Sequence, residues 1–419
     1  MIGNMTRFPF VAVAALCLLA LSACANLPAD RAASAPVLLV SIDGLGAGQY
    51  DQARMPHLAR IAREGVSAAA MVPAYPTLTF PNHYSIVTGL RPDRHGIVHN
   101  TMRDTALGGF SMSNREAVGD ERWWGGTPMW VAAERAGLPT ATFSWPGSEA
   151  DVGGVRPTHW RPYDGDVPMQ TRVDTVLGWL SEPVATRPRF LTLYFEHVDE
   201  AAHSHGPHSD EAYAAQRAVD AALGTLLDGL EARGLARAVN LVVVSDHGLA
   251  EVAPGNTVVV EEMADPADVE VVSAGQVVGF MPKPGREPAA LAALLGRHTH
   301  YQCWRKGELP ARWRYGAHPR VPPIVCQMDE GWDAVMRERL ARQPRVGMRG
   351  SHGYDPAHPS MHAVFFARGP AFRAGATLPA IESVDVYPLL MRLLGLARAE
   401  HDGDAKALLP ALRLENALP

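Results

Sequence analysis

The sequence predicts an α/β fold: a mostly parallel central sheet with helices on both faces and a smaller inserted module. Three patterns carry this reading. Short apolar runs at Val37–Ile42, Leu191–Phe195, Leu241–Ser245 and Ala363–Ala367 have strand length. They are apolar at nearly every position rather than alternating, which marks strands buried on both faces, as in parallel sheets. Helical-period segments separate the runs. In the clearest, Ser209-Asp210 supplies a cap, Val219, Leu223, Leu226, Leu227 and Leu230 form an apolar stripe, and Gly234 is a stop. Residues from about 254 to 340 carry more Pro and Arg, with Met281-Pro282-Lys283-Pro284-Gly285 as punctuation. That stretch reads as the inserted module of a main domain over 37–400; the main sheet is expected to resume at Gly347, and 401–419 to form a C-terminal tail.

Composition narrows the function. Hydrophobic residues make up 47 % and charged residues 20 % of the 419, so a disordered or fibrous chain is excluded. A net charge of −6 argues against a binder that neutralises the phosphates of duplex nucleic acid. Many of the 17 histidines stand beside Asp or Gly, where ligands can be held.

The first residues read as targeting. Arg7, the apolar block Val11 to Leu21 and the small residues before Cys24 have the order of a secretory signal, too short to persist as a membrane span. Leu21-Ser22-Ala23-Cys24 resembles a bacterial lipobox, which would make 1–24 a lipoprotein signal peptide and place a lipid on Cys24. Ala25 at the next position points to the outer membrane, and 25–36, rich in Ala, Ser and Pro, reads as a tether. The expectation is an exported lipoprotein, periplasmic or at the outer membrane of a Gram-negative bacterium, touching the membrane only through that lipid. Cys303 and Cys326 are then the cysteines left in the body, 23 residues apart. They are either bridged or two buried thiols, and an oxidising compartment favours the bridge.

Three strand runs lead into Asp or Asp-His: Asp43, Asp199 and Asp246-His247. In open α/β sheets the functional crevice lies beyond the carboxyl ends of the strands, so these endings should converge. Asp199 and His203 share a face if their segment is helical, and Ser351-His352-Gly353 supplies a fourth element. Mixed carboxylate and imidazole donors suit zinc, whereas oxygen-only sets suit magnesium or calcium. His197, His205, His208, His358 and His362 read as loop or supporting residues.

A nucleophile is the next requirement. Thr77-Leu78-Thr79-Phe80-Pro81-Asn82-His83 precedes an apolar helical stretch from Tyr84 to Leu90. A hydroxyl at a helix N-terminus sits where backbone N–H groups and the dipole favour an anion. Thr79 either fills that role or merely caps the helix, and Thr77 is the rival hydroxyl.

Thr79-Phe80-Pro81-Asn82-His83, followed by Val87-Thr88-Gly89-Leu90-Arg91-Pro92 and His95-Gly96-Ile97, resembles the nucleotide pyrophosphatase/phosphodiesterase family of the alkaline phosphatase superfamily. The resemblance runs from Val37 to about Leu396 and includes Ile42-Asp43-Gly44, Tyr163-Asp164-Gly165, Asp246-His247-Gly248 and His352-Gly353-Tyr354-Asp355. It implies an alkaline-phosphatase-like sheet and two zinc ions per chain. Asp199, His203 and His352 would hold one; Asp43, Asp246, His247 and the nucleophile Thr79 would hold the other. Asn100 matches the family residue that donates a hydrogen bond to a phosphoryl oxygen, and Phe80, Tyr163 and Tyr194 match the aromatics that flank a nucleobase. Met112 is a further candidate for the pocket.

The implied reaction is hydrolysis of phosphodiester or pyrophosphate bonds through a threonyl intermediate, releasing nucleoside 5′-monophosphates from small-molecule substrates; no protein partner is implied. A monoesterase must hold extra charged oxygens, and Leu78, Phe80 and Pro81 beside Thr79 offer no cation. Three other readings follow from the same residues: the same chemistry on lipid head-group diesters or phosphonates, a sulfatase, and a non-catalytic anchored zinc- or ligand-binding protein. Thr79-Phe80-Pro81 lacks the Cys or Ser a sulfatase converts, and a binder needs no nucleophile.

Overall fold

The computed structural model describes residues 35–397 and 399–413. The signal sequence, Cys24 and most of the tether lie outside the described residues. Among those residues, the central sheet is built from β1 (Val37–Ile42), β2 (Val66–Ala68), β3 (Thr140–Phe143), β4 (His159–Arg161), β5 (Phe190–Phe195) and β6 (Asn240–Val244). The inserted module contributes β7 (Val269–Ser273), β8 (Val277–Pro282), β9 (Gly296–Arg297), β10 (Tyr301–Arg305) and β11 (Ile324–Met328) to a separate sheet. Then β12 (Phe365–Arg368) and β13 (Ala376–Leu378) complete the first, in the order β13-β2-β12-β6-β1-β5-β3-β4.

β1 lies parallel to both β5 and β6, and β3 is parallel to β4 and β5. Every residue of β1 is buried, and its two faces meet different partners. Leu38, Val40 and Ile42 pack with Leu58 of α1 (Pro56–Glu64), Val173 of α2 (Met169–Leu180) and Leu223 of α3 (Asp210–Ala232). Val37 and Leu39 join the opposite core with Tyr84, Val87 and Tyr387. Burial on both faces is why the run is apolar without alternation. α3 begins at Ser209, whose Oγ accepts the Ala212 N–H at 3.1 Å, and Gly234 follows with a left-handed φ of +68°.

The fourth apolar run departs from the parallel expectation. β12 is antiparallel to both β6 and β2, because the chain re-enters beside the end of β6, where the Ser245 N–H donates to the Val364 carbonyl. Apolarity reports burial, not direction. The main sheet also does not resume at Gly347: Arg349–Ser351 pairs with Ala250–Val252 outside it, and the sheet resumes at Phe365.

The module's five strands are antiparallel and carry their own core around Val278, Phe280 and Ile324. Cys303 of β10 stands opposite Cys326 of β11, and the two form a disulfide. Residues 401–413 fold back onto the body: Leu408 and Leu412 are buried, and Asp402 accepts from the Arg91 N–H and the Arg94 guanidinium.

Candidate active site

The carboxyl ends of β1, β5 and β6 converge on one crevice. Asp43 follows β1 directly, and its N–H donates to the carbonyl of Phe195, the last residue of β5. Asp246 and His247 follow β6. Asp199 lies on α4 (His197–His205), which β5 enters, and His203 comes one turn later on the same helix. His352 comes directly after the Arg349–Ser351 strand. Gly44 turns the chain after Asp43 at φ +72°, and a Cβ there would lie 2.9 Å from Asp199 Oδ1. Only glycine both adopts that backbone easily and lets the two carboxylates approach.

Two sets of donors result. Asp43, Asp246 and His247 offer ligand atoms that lie within 4.8 Å of one another, and so do Asp199, His203 and His352. His247 Nε2 is 2.9 Å from Asp246 Oδ2 and 3.7 Å from Asp43 Oδ1. His203 Nε2 is 3.4 Å from Asp199 Oδ2, and His352 Nε2 is 3.7 Å from Asp199 Oδ1. The His247 and His352 rings stack 3.6 Å apart, which joins the sets into one centre.

The donors are oriented for a cation. Nδ1 of His203 lies 2.9 Å from the Gly350 carbonyl, Nδ1 of His352 2.9 Å from that of Thr77, and Nδ1 of His247 3.1 Å from that of Gly248. A carbonyl only accepts, so each Nδ1 carries the proton and each Nε2 turns a lone pair inward. Asp43 Oδ1 and Asp199 Oδ1 are buried without a hydrogen-bond partner among the described residues. Burial, then the neighbouring Asp246 and Asp199 carboxylates, push the Asp43 carboxyl well above its usual range. An unpaired buried carboxylate is costly unless a cation compensates it. The residues therefore fit divalent ions, and mixed oxygen and nitrogen donors suit zinc.

Thr79 is the first residue of the helix Thr79–Thr88, whose N-cap is Leu78 and which has no side-chain cap among the described residues. Its hydroxyl is thus not used in capping, and Oγ1 lies 3.4 Å from His247 Nε2. Thr77, the rival hydroxyl, is fully buried, donates to the Tyr354 carbonyl and accepts the Gly353 N–H, both at 2.9 Å. It fixes the loop that carries His352. Asn100 Oδ1 accepts the Phe80 N–H at 2.9 Å, so the amide nitrogen is the end left for a ligand.

Beside Thr79 lies a cavity of about 190 Å³ lined by Phe80, Met112, Pro146, Tyr163 and Tyr194. Phe80 leans on Phe110 and Trp124, and the exposed Tyr163 ring stands 6.2 Å from that of Tyr194. Tyr194 is itself buried, and its hydroxyl donates to Asp43 Oδ2 at 2.6 Å. The floor is fixed by Arg172, whose Nη1 and Nη2 reach the two Glu196 oxygens at 2.5 and 2.6 Å.

Sequence reasoning passed over His83. Its ring, fully buried, has Nδ1 2.9 Å from the Thr79 carbonyl and 3.3 Å from Asp246 Oδ2, with Nε2 2.8 Å from Ser41 Oγ. It ties the Thr79 turn to Asp246. The available signal was its spacing, four residues after Thr79 on the same helix. The Arg172–Glu196 pair joins residues 24 apart and had no local signal.

Comparison with known proteins gives one consistent result. The model of the type I phosphodiesterase / nucleotide pyrophosphatase family matches residues 37–355. Mouse ectonucleotide pyrophosphatase/phosphodiesterase family member 1 is 35 % identical over 383 residues, 88 % of this chain and 42 % of the mouse protein. A venom phosphodiesterase of Crotalus durissus collilineatus is 35 % identical over 379 residues, 88 % of this chain and 45 % of the venom protein. The chain thus spans under half the length of these two relatives. An uncharacterised pyrophosphatase/phosphodiesterase of Schizosaccharomyces pombe is 32 % identical over 91 % of this chain and 81 % of its own length. Among solved structures, an inactive variant of murine ectonucleotide pyrophosphatase/phosphodiesterase 5 in complex with AMP aligns with a TM-score of 0.84 at 32 % identity, covering 90 % of this chain and all of that one.

Proposed function

This chain belongs to the type I phosphodiesterase / nucleotide pyrophosphatase family of the alkaline phosphatase superfamily, and we propose that it is a zinc-dependent hydrolase of phosphodiester and pyrophosphate bonds in nucleotides and related diesters. The observation that carries this reading is the place of Thr79: a hydroxyl not used in capping at a helix N-terminus, 3.4 Å from His247 Nε2, at the two carboxylate–imidazole sets and next to an aromatic cavity.

Asp199, His203 and His352 would hold one zinc ion and Asp43, Asp246, His247 and Thr79 the other, supplying Lewis acidity at the reacting oxygens and easing deprotonation of the hydroxyl. Thr79 Oγ1 attacks phosphorus as the P–O bond to the leaving group breaks, and the leaving oxygen keeps the electron pair. Water then cleaves the Oγ1–P bond, restoring the threonine hydroxyl and releasing a nucleoside 5′-monophosphate. The Asn100 amide and the first turn of the helix stabilise charge on the non-bridging oxygens.

The aromatic cavity supports a diester rather than a monoester. Phe80 and Tyr163 offer ring faces to a base, with Tyr194 behind them, and stacking tolerates any base. The cavity's cation, Arg115, is already paired with Glu149. The AMP held by the related murine protein is consistent with a nucleotide in such a slot.

We also propose export and anchoring through a lipid on Cys24. The lipobox Leu21-Ser22-Ala23-Cys24 and the Cys303–Cys326 disulfide support an oxidising compartment. The test of the activity is product identity. Zinc-loaded protein incubated with a nucleoside triphosphate should release the monophosphate and pyrophosphate; release of diphosphate and inorganic phosphate would contradict the reading.

A further inference from the structure

A second and larger cavity, about 660 Å³, also opens at Thr79. The two cavities share Thr79, Asp199 and Met112, but this one is walled by His203 and His352 instead of the aromatics. An in-line displacement places the leaving group opposite the attacking oxygen. With a base in the aromatic slot, this cavity is the space next to Thr79 left for the other substituent on phosphorus.

The far wall is cationic. Arg339, Arg345 and Arg349 line it, and Asp333 is the acidic residue facing them besides Asp199. The ion pairs of this segment divide by direction. Arg337 and Arg342, which do not line the cavity, pair with Glu262 and Glu338. Arg339 and Arg345, which do, have no ion-pair partner among the described residues. Arg349 is nine-tenths buried and bonded to Asp333 at 2.7 Å, yet its Nε and Nη2 have no hydrogen-bond partner among the described residues, nor has Arg345 Nε. Burial, and next the Arg349 guanidinium, push Arg345 below its ordinary range; Asp333 opposes this and Arg339 adds to it. Like charges gathered around one cavity, with unfilled donors, are compensated by an anion with several charged oxygens.

We propose that Arg339, Arg345 and Arg349 form a subsite for an anionic, phosphate-bearing leaving group, so that this enzyme favours pyrophosphate bonds over diesters with a neutral leaving group. This rests on the phosphodiesterase reading above. A nucleoside triphosphate places pyrophosphate in the arginine cavity; an ester of the same nucleoside monophosphate with nitrophenol, or a lipid head-group diester, places a group there that the guanidiniums do not bind.

The test compares thymidine 5′-triphosphate with the p-nitrophenyl ester of thymidine 5′-monophosphate on the zinc-loaded protein. Arg345→Ala is expected to lower kcat/KM about tenfold or more on the triphosphate and less than about threefold on the ester. Arg339→Ala, at an exposed position that leaves the fold undisturbed, should shift the ratio in the same direction. A binding arm uses the α,β-methylene triphosphate and thymidine 5′-monophosphate: Arg345→Ala should weaken the former selectively. Equal losses on both substrates, or an unchanged ratio in both variants, would overturn the subsite while leaving the phosphodiesterase reading intact. Turnover of neither substrate by the unsubstituted protein would overturn both.

Discussion

The hydroxyl of Tyr194 donates a 2.6 Å hydrogen bond to Oδ2 of Asp43, and the other oxygen of that carboxylate, beside His247, has no hydrogen-bond partner among the described residues. One residue thus lines the aromatic cavity and fixes the direction of a metal-ligand candidate. Such supporting bonds typically carry 10–100-fold in metal affinity or activity. Tyr194→Phe keeps the ring and removes the donor. Zinc affinity, measured by competition with a chromophoric chelator, should fall about tenfold or more. Unchanged affinity would show that Asp43 needs no such support.

Thr79→Ala removes the proposed attacking oxygen and leaves three protein donors in each set. Zinc content should be largely retained and kcat should fall on the order of 10⁴-fold or more, as when the nucleophile of a covalent mechanism is deleted. Metal analysis beside a rate assay checks both halves. Normal turnover would remove Thr79 from the mechanism.

Asn100→Ala deletes the amide held by the Phe80 N–H. Loss of one donor to a developing oxyanion costs about 10²–10³ in kcat. Near-normal kcat with a raised KM would instead assign Asn100 to ground-state binding.

Metal and pH should be coupled. In the metal-free protein, burial and two neighbouring carboxylates hold the Asp43 carboxyl well above its usual range. A carboxyl raised in the folded state contributes stability that is fully present below its unfolded value of about 4 and is lost as pH rises through the folded value. Zinc binds the ionised form, so its stabilising effect grows as that proton is lost. The Tm gap between zinc-loaded and chelator-treated protein should therefore widen from pH 5 to pH 8. A constant gap would contradict the coupling.

Much of this site was legible because each key residue stands at the end of a local pattern. Asp43 and Asp246 end apolar strands, and Asp199 and His203 have helical spacing. Convergence of strand ends then brings them together. What escaped was non-local. The antiparallel direction of β12 depends on where the chain re-enters the sheet, and an apolar run reads alike in either direction. Tyr194 was legible as an aromatic near the site, but its bond to Asp43 spans 151 residues and depends on the β1–β5 register, which sets Ser41 opposite Tyr194. The arginine wall comes from a short helix, Arg337–Arg342, and the segment after it, and its convergence on the cavity has no periodic signature.

The Cys303–Cys326 bridge joins neighbouring strands within the module, away from Thr79 in sequence. Closing a loop of 23 residues stabilises by about 3 kcal/mol through the unfolded chain. Replacing both cysteines with Ala should lower the unfolding free energy by about that amount and leave kcat within about twofold, as denaturant titration and a rate assay would show. A collapse of kcat at full folding would tie the module directly to the chemistry.

Thr79 and the two donor sets are proposed to act on diesters. The most direct measurement is kcat/KM of the zinc-loaded protein on bis-p-nitrophenyl phosphate and on p-nitrophenyl phosphate, side by side. A strong preference for the diester is expected, because the cavity beside Thr79 is walled by Phe80, Tyr163 and Tyr194 and its arginine is paired with Glu149. A preference for the monoester would contradict it.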